Sequence, residues 1–385
     1  MRIAIVAESF LPLMNGVTHS ILRVLDHLQD RGDEVLVIAP SAQDGQAAVQ
    51  VKGAEVHRLP AVPLAGYANV RVALGGVYRV KRILAEYAPD VVHLASPFVL
   101  GWRAAQAASQ LGIPTVAVYQ TEVPSYAARY GVPFLENWAW NRVENIHLLA
   151  TRTLVPSTFA LNQLRGRGIP RVRMWRRGVD TARFSPEKRD DGWRASIAPN
   201  GGRIIGYVGR LAVEKQVEDL AALTGIPNTR LVIVGDGPQR GALEEALPGA
   251  VFTGFLGGED LARAVASFDL FVHPGEFETF CQTIQEAMAS GVPVVATGRG
   301  GPLDLVENSR TGWLYEPGDL SALRARVQDL MGDDAKRRAF AAAAHASVQH
   351  RTWPALCTEL VQHYTDAIEA VQVPPQKPAT AGAPS

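Results

Sequence analysis

Residues 273–296 contain, in one short segment, the groups that would bind a phosphate and the hydroxyl groups beside it. The apolar run that ends at His273 is typical of a buried strand, and the Pro-Gly pair after it predicts a tight loop. Thr279 and Gln282 have the spacing of a capping box, which predicts a helix that begins near Phe280. Free backbone N–H groups and the helix dipole favour an anion at such a helix start. The segment therefore predicts a phosphate-binding site.

A carboxylate lies on each side of this predicted anion site, which the backbone N–H groups of Phe280, Cys281 and Gln282 would form. Glu278 precedes the helix, and Glu286 follows two turns later, roughly 9 Å along the axis. Carboxylates repel phosphate, but they accept hydrogen bonds from hydroxyl groups. A ligand with phosphate in the middle and a sugar at each end, such as a nucleotide sugar, fits this order. The alternative is an ordinary capped helix with surface glutamates.

The composition is that of a globular protein with two domains. The chain has 385 residues, of which 47% are hydrophobic and 20% are charged, and this length is too great for one ordinary core. The formal net charge of zero gives no general attraction to nucleic acid. Two cysteines, Cys281 and Cys357, form neither a disulfide framework nor a metal cluster. Without a signal peptide or a membrane-spanning run, we expect a cytoplasmic protein with peripheral membrane contact at most.

Apolar strands alternate with amphipathic helices along the chain, which predicts an α/β fold with two doubly wound domains. The first βαβ unit has one tight glycine, Gly16, and lacks the Gly-x-Gly-x-x-Gly pattern of a dinucleotide site. A helix is predicted over residues 72–87. We divide the chain into an N-terminal domain (residues 1–180), a polar linker (181–202) and a C-terminal domain (203–351). A last helix (352–371) is expected to pack back on the N-terminal domain, and a disordered tail (372–385) follows it.

Several motifs, in order and well spaced, resemble those of the retaining glycosyltransferases of family 4, which have the GT-B fold. The central motif is Glu278-x7-Glu286. The others cover residues 15–17, 209–215, 235–238, 289–295 and 300–302. Three further segments, residues 6–12, 92–97 and 117–124, resemble a narrower group, the actinobacterial GDP-mannose-dependent α-mannosyltransferases that act on glycolipids. The resemblance covers nearly the whole chain and implies two Rossmann-like domains that face a central cleft.

The resemblance also implies a role for each matching residue. Arg210 and Lys215 correspond to the basic pair of the family, which neutralises the donor diphosphate and stabilises the leaving nucleotide. Such a pair is needed because breaking a sugar–phosphate bond develops negative charge on the phosphate oxygen. Glu278 corresponds to the residue that holds hydroxyl groups of the donor sugar, and Glu286 to the one that holds the nucleotide ribose. Gly16 corresponds to the glycine that closes over the diphosphate.

Two residues depart from the family pattern. Cys281 stands where relatives often have glycine or another small residue, although a backbone contact would survive this change. Gln120 stands where many family members have a histidine beside the donor sugar. An amide carries no proton near neutral pH, but it donates and accepts hydrogen bonds. We therefore place Gln120 among the catalytic residues, with a buried strand-end glutamine as the alternative.

Four polar residues near the cleft are open to two interpretations. His93, Thr121 and Glu122 are our candidates for the acceptor side. A strand-end histidine with internal hydrogen bonds explains His93 equally well, and an ordinary loop charge is the alternative for Glu122. His273 precedes the catalytic loop, and both structural support and sugar contact are consistent with its position.

Two groups of basic residues are candidates for contact with anionic lipid headgroups, with an ordinary solvated face as the alternative for the first. The first group lies on or near the helix predicted over residues 72–87 and comprises Arg71, Arg79, Lys81 and Arg82. The second group comprises Arg165, Arg167, Arg171, Arg173, Arg176 and Arg177.

The leading hypothesis from the sequence is a retaining enzyme that moves mannose from GDP-mannose to a glycolipid or other lipid-linked acceptor. We expect it to need neither a metal nor another cofactor, and the sequence has no Asp-x-Asp metal motif. One alternative is a glycosyltransferase that uses a UDP-sugar and a glycolipid or small-molecule acceptor. Another is a non-catalytic protein that binds sugar nucleotides, and the combination of Arg210, Lys215, Glu278 and Glu286 argues against it.

Overall fold

The computed structural model describes residues 1–42, 49–64, 67–95, 97–120 and 134–372, and it confirms the predicted α/β architecture. The N-terminal domain contains β1 (Arg2–Ala7), β2 (Glu34–Pro40), β3 (Gln50–Val51), β4 (Ala54–Leu59), β5 (Ala61–Leu64), β6 (Tyr67–Ala73), β7 (Val91–Ala95), β8 (Thr115–Val118), β9 (Arg152–Val155) and β10 (Val172–Met174). Its helices are α1 (Gly16–Asp30), α2 (Val77–Tyr87), α3 (Leu100–Leu111), α4 (Phe134–Leu149) and α5 (Thr158–Gly166).

Eight of these strands form one sheet in the order β10-β9-β8-β7-β1-β2-β4-β3, and β5 pairs with β6 in a separate hairpin. The central strand β1 is buried on both faces, so its apolar residues alternate between two layers of helices. Ile3 and Ile5 belong to the same core cluster as Leu25 of α1. Ala4 and Val6 point to the other side, where α2, α3 and α4 pack. This is a three-layer, doubly wound domain.

The C-terminal domain repeats this architecture with a six-stranded parallel sheet. Its strands are β11 (Arg203–Val208), β12 (Thr229–Val234), β13 (Val251–Gly254), β14 (Leu270–His273), β15 (Val294–Thr297) and β16 (Gly312–Tyr315). Its helices are α6 (Asp191–Ile197), α7 (Arg240–Ala246), α8 (Gly258–Ala266), α9 (Gln282–Ala289), α10 (Pro302–Leu305), α11 (Leu320–Gly332) and α12 (Asp334–Val348). Ile204 and Ile205 of β11 point to opposite helix layers.

Strand order fixes where each domain can bind a ligand. In the second sheet the order is β13-β12-β11-β14-β15-β16, so the connection reverses direction between β11 and β14. In the first sheet the corresponding neighbours are β1 and β7. Ligands of doubly wound sheets bind in the crevice beyond the carboxyl ends of such neighbouring strands. The loops that follow β1, β11 and β14 contain Gly16, Arg210 and Glu278.

The chain passes between the domains twice, and the two crossings lie side by side. The backbone N–H of Val179 donates to the carbonyl of Arg351, 2.8 Å away, and Val179 forms a β-bridge with Thr352. The last helix, α13 (Trp353–Gln372), contributes Leu360 and Tyr364 to the core of the N-terminal domain. In the described part of the chain, no helix is both long and apolar enough to cross a membrane.

The segment that we predict as a linker, residues 181–202, is folded against the C-terminal domain. It includes α6, whose Arg194 forms a 2.9 Å ion pair with Asp269. Trp193 contacts the ring of Phe268, with 6.2 Å between the ring centroids. Ion pairs and aromatic packing of this kind fix the orientation of the crossing that leads into the second domain.

One element boundary in the N-terminal domain differs from our prediction. The helix predicted over residues 72–87 begins at Val77, because Tyr67–Ala73 forms β6 of the β5–β6 hairpin. The sequence pattern does not predict the strands β3, β5 and β6, nor the short strands β10 and β16. β10 has only three residues, and β16 has four, and runs of this length have little periodicity of their own.

Candidate active site

Lys215, Glu278 and His273 form a compact charged cluster at the carboxyl ends of β11 and β14. The ammonium nitrogen of Lys215 lies 2.5 Å from Oε1 of Glu278, and Nε2 of His273 lies 3.1 Å from the same oxygen. Lys215 ends a short 3-10 turn, Val213–Lys215, and His273 is the last residue of β14. Loops from two neighbouring strands thus bring together side chains that are more than 50 residues apart in sequence.

The three groups determine one another's ionisation. Burial alone would raise the pKa of Glu278, but Lys215 and then His273 outweigh it and hold this pKa at about 2. Burial alone would lower the pKa of His273, but Cys281 and Glu278 outweigh it and raise this pKa to about 9. Near neutral pH, Glu278 is therefore a carboxylate held between two cations. Such a group accepts hydrogen bonds from hydroxyls without carrying a net negative charge into a phosphate site.

Arg210 lies at the cleft, where a buried carboxylate forms an ion pair with it. It forms an ion pair with Glu214, whose side chain is only 1% exposed, while that of Arg210 is 55% exposed. The turn that carries Arg210 packs against the next loop through a glycine. A Cβ on Gly235 would lie 1.9 Å from the carbonyl oxygen of Gly209, so no larger residue fits there. The Gly-Asp-Gly motif at residues 235–237 therefore supports the arginine loop.

The start of α9 has the free donors that we predict, but it is built differently. Among the described residues, none accepts a hydrogen bond from the backbone N–H groups of Phe280, Cys281 and Gln282. The predicted capping box is wrong: the hydroxyl of Thr279 donates to the carbonyl of Gln120, 3.1 Å away, and the helix begins at Gln282. The loop is instead hydrogen-bonded to the N-terminal domain through Thr279, so this threonine does not cap the helix.

Cys281 occupies the N-cap position of α9 with a φ of 71°. This left-handed conformation costs a residue with a Cβ about 1–2 kcal/mol more than it costs glycine. The resemblance implies glycine or another small residue at this position, and glycine adopts this backbone conformation without that cost. Cys281 is also buried in the core of the C-terminal domain, so its side chain has a packing role.

Glu286 projects from α9 on the side opposite the buried Ile284 and Met288. It is partly buried, and this burial raises its pKa to about 7, against a hydrogen bond from Gln282 and the field of Arg183. The carboxyl therefore changes its charge within the physiological range. Because α9 begins at Gln282, Glu286 lies about one turn into the helix, and Glu278 lies in the loop before it.

The predicted residues from the N-terminal domain also meet at the cleft. Gly16 is the first residue of α1, which Asn15 caps by accepting hydrogen bonds from Val17 and Thr18. Gln120 uses its side-chain oxygen to accept a hydrogen bond from Arg177. A Cβ on Gly16 would lie 3.2 Å from the same guanidinium.

Of the three residues predicted on the acceptor side, one is not brought to this site and two lie outside the described residues. His93 is buried, and its Nδ1 lies 2.6 Å from the hydroxyl of Tyr364 on α13, so it is an internally bonded strand histidine. Burial lowers its pKa to about 4. Thr121 and Glu122 lie outside the described residues.

His273, Glu278 and Cys281 offer ligand atoms that all lie within 4.8 Å of one another, a spacing that would suit a metal ion. Oε1 of Glu278 already has the Lys215 ammonium 2.5 Å away. A divalent cation at the same oxygen would be repelled by that ammonium. The arrangement of the charges therefore favours the ammonium as the resident cation.

Glu214 and Glu276 take part in the site, but our sequence analysis did not select them. Gln216 donates to Glu276 across 3.2 Å, and its own side-chain oxygen accepts from the backbone N–H of Glu276 across 3.0 Å. This double contact ties the Lys215 loop to the Glu278 loop. Glu214 lies between Arg210 and Lys215 in sequence, so its position within a basic motif was the available signal.

Most arginines of the second predicted basic group have structural partners. Arg167 pairs with Glu144 and stacks on Trp140, with its guanidinium carbon 3.7 Å from the ring centroid. Arg171 donates to two carbonyl oxygens at the end of α4. Within the described residues, Arg177 is the member of this group that reaches a predicted site residue, Gln120.

Comparison with known proteins agrees with the two-domain site. Residues 14–183 match the model of Glycosyltransferase Family 4, and residues 202–333 match the model of Glycosyl transferases group 1. The chain is 51% identical over 369 residues to a GDP-mannose-dependent alpha-mannosyltransferase of Mycolicibacterium smegmatis, which covers 94% of this chain and 97% of the relative. A protein of Corynebacterium glutamicum with the same description is 49% identical over 97% of this chain and 90% of its own length.

The fold also matches solved structures. The sucrose-phosphate synthase of Thermosynechococcus elongatus superimposes with a TM-score of 0.81 over 96% of this chain and 99% of its own, at 22% sequence identity. At this identity the match supports the fold alone. Together, the two family models, the full-length relatives and the shared fold show that this chain belongs to glycosyltransferase family 4 and has the GT-B fold.

Proposed function

We propose that this protein transfers mannose from GDP-mannose to a hydroxyl group of a lipid-linked acceptor, with retention of configuration. The donor assignment rests on the identity of 49–51% to two GDP-mannose-dependent alpha-mannosyltransferases over nearly the full length. The observation in the site that supports it most is the Lys215–Glu278–His273 cluster beside the free N–H groups of α9. This arrangement offers cations and N–H donors for the diphosphate, and a carboxylate for sugar hydroxyls.

The reaction breaks the bond between C1 of mannose and the β-phosphate oxygen, and it forms a bond from C1 to the acceptor oxygen. Negative charge develops on the β-phosphate, and Lys215 and Arg210 stabilise it more in the transition state than in the bound donor. The acceptor proton passes to the departing phosphate on the same face, so no side-chain base is required. This route is compatible with an amide at Gln120, which carries no proton near neutral pH.

Calorimetric titration in the presence of EDTA tests the donor. We expect GDP and GDP-mannose to bind with dissociation constants in the micromolar range, roughly 1–100 μM, and UDP and UDP-glucose to bind far more weakly. The variant Lys215→Ala should lose at least about 100-fold in transfer rate, because the developing phosphate charge is no longer stabilised. Lys52→Ala, a partly exposed lysine on the N-terminal domain, is the matched control.

Binding of UDP and UDP-glucose alone would identify the donor as a UDP-sugar and leave the proposed mechanism unchanged. A requirement for an added divalent metal would contradict the metal-free reaction. Unchanged turnover in Lys215→Ala would overturn the phosphate role of this lysine.

The pKa of Glu286 gives a pH prediction for donor binding. If its carboxylate accepts hydrogen bonds from the ribose, the ionised form binds better, so affinity for GDP-mannose should rise as the pH increases from 6 to 8 through the pKa of about 7. Glu286→Gln should bind about tenfold more weakly at pH 8 and lose the rise. GDP-mannose is the better ligand here, since its diphosphate has no terminal group that titrates in this range.

The matched control is Glu245→Gln, an exposed glutamate on α7, which should keep both the affinity and the pH dependence of the wild type. A similar rise with pH in Glu286→Gln would assign the titration to another group and count against the ribose contact.

We further propose that α2 and the hairpin before it face the membrane that holds the acceptor. Tyr78 and Leu74 are large hydrophobic side chains that are 80% and 46% exposed, and Arg79 and Arg82 lie on the same helix. An exposed aromatic beside basic residues is typical of peripheral contact with anionic lipid.

Sedimentation with vesicles tests this surface. The protein should bind anionic vesicles and not zwitterionic ones, and the double variant Arg79→Glu with Arg82→Glu should bind more than about tenfold more weakly. Arg310→Glu, an exposed arginine of the C-terminal domain, should leave binding unchanged. Equal binding by the double variant and the wild type would show that the arginines of α2 do not contact the membrane.

A further inference from the structure

Arg177 connects the two halves of the proposed donor site. Its backbone is held to α9, because the side-chain amide of Gln285 donates to the Arg177 carbonyl across 2.9 Å. The neighbouring carbonyl of Gly178 accepts from Gln282 across 3.0 Å. The guanidinium donates to the side-chain oxygen of Gln120, which lies in the same N-terminal domain. Arg177 therefore contacts both domains, through its backbone carbonyl on one side and its side chain on the other.

Two other cations of the proposed site are each paired with a carboxylate. Arg210 pairs with Glu214, and Lys215 pairs with Glu278. Arg177 differs, since no carboxylate of the described residues lies within 4.0 Å of its guanidinium. Its hydrogen-bond partner, Gln120, is a neutral amide. The two ion pairs carry no net charge, so Arg177 adds a positive charge that a bound anion can use.

Burial makes an uncompensated charge costly. Arg177 is largely withdrawn from water, and this burial lowers its pKa to about 10, against the field of Glu278, so the group is still protonated near neutral pH. A neutral glutamine offsets only part of the lost hydration. The same region is cationic from other elements: burial and the arginines Arg23, Arg183 and Arg177 lower the pKa of His19 on α1, with Asp180 acting in the opposite direction.

Gly16 leaves the space that the guanidinium occupies. A Cβ at Gly16 would lie 3.2 Å from Nη1 of Arg177, which is closer than ordinary van der Waals contact. Any side chain at this position would push the guanidinium away from the start of α1. The glycine thus leaves room for an arginine at the place where the family resemblance implies that a diphosphate binds.

We propose that Arg177 is a further donor-binding residue, which holds a phosphate oxygen of the sugar nucleotide beside Gly16, and that Gln120 is the positioning residue that aims it. The planar guanidinium has five N–H donors in a fixed fork, so Nη2 can bond Gln120 while other donors bind the phosphate. The inference rests on the proposed function, because it takes the ligand to be a nucleoside diphosphate. It gives Gln120 a role through Arg177 instead of through direct contact with the sugar.

Calorimetry with GDP, at low and at high salt, tests this assignment. Arg177→Gln should lower the affinity for GDP about 10- to 100-fold at low salt, since a charge-assisted hydrogen bond is lost. The affinity of the variant should also depend less on salt than that of the wild type, which a structural role would not produce. Arg177→Lys should recover part of the affinity, because it keeps the charge and loses the fork. Arg173→Gln, an exposed arginine four residues earlier, is the control with the same change in net charge.

The melting temperature of each variant separates binding from folding, and it should stay close to that of the wild type. Unchanged GDP affinity in Arg177→Gln overturns the assignment, and a raised KM for the acceptor in that case would identify the acceptor as the source of the anion. A loss of affinity with the salt dependence of the wild type also overturns it, because Arg177 would then only join the domains. If the wild type binds neither GDP nor UDP, the proposed function itself fails. Loss confined to the Arg177 variants leaves that function intact.

Discussion

The ion pair between Lys215 and Glu278, with His273 on the same oxygen, is the interaction on which the rest of the site depends. A site that cleaves a sugar–phosphate bond must place cations at the phosphate and a hydrogen-bond acceptor at the sugar, although these charges attract each other. Here they are joined within 2.5 Å and 3.1 Å, which keeps Glu278 ionised with a pKa of about 2. The buried Glu214 likewise forms an ion pair with Arg210, so both cations of the basic motif have a carboxylate partner.

The two doubly wound sheets determine where this chemistry can occur. Each sheet reverses its strand order once, between β1 and β7 and between β11 and β14, and the functional loops follow those strands. Contacts between the domains at the cleft are polar: the hydroxyl of Thr279 donates to the carbonyl of Gln120, and the side-chain amide of Gln285 donates to the carbonyl of Arg177. Polar contacts of this kind exchange with water at a modest net cost, which suits a cleft that must open for two substrates.

The sequence was sufficient for the fold class, because long apolar strands such as Arg2–Ala7 have a strong pattern. It was insufficient where a residue bonds across the fold. Thr279 has the spacing of a cap but bonds Gln120, 159 residues away, and His93 bonds Tyr364, 271 residues away. Partners so distant in sequence leave no local pattern. For the same reason, the sequence placed Arg177 in a basic surface group and did not indicate its proposed contact with the donor.

A crystal structure of the protein with GDP, prepared without added metal, would show whether Lys215 binds the diphosphate. We expect the ammonium of Lys215 within hydrogen-bond distance of a phosphate oxygen, about 2.7–2.9 Å, while Glu278 remains next to it and accepts hydrogen bonds from hydroxyl groups of a sugar. The backbone N–H groups at the start of α9 should point at the same diphosphate. A diphosphate bound away from Lys215, with the Lys215–Glu278 pair unchanged and solvent between them and the ligand, would contradict the account.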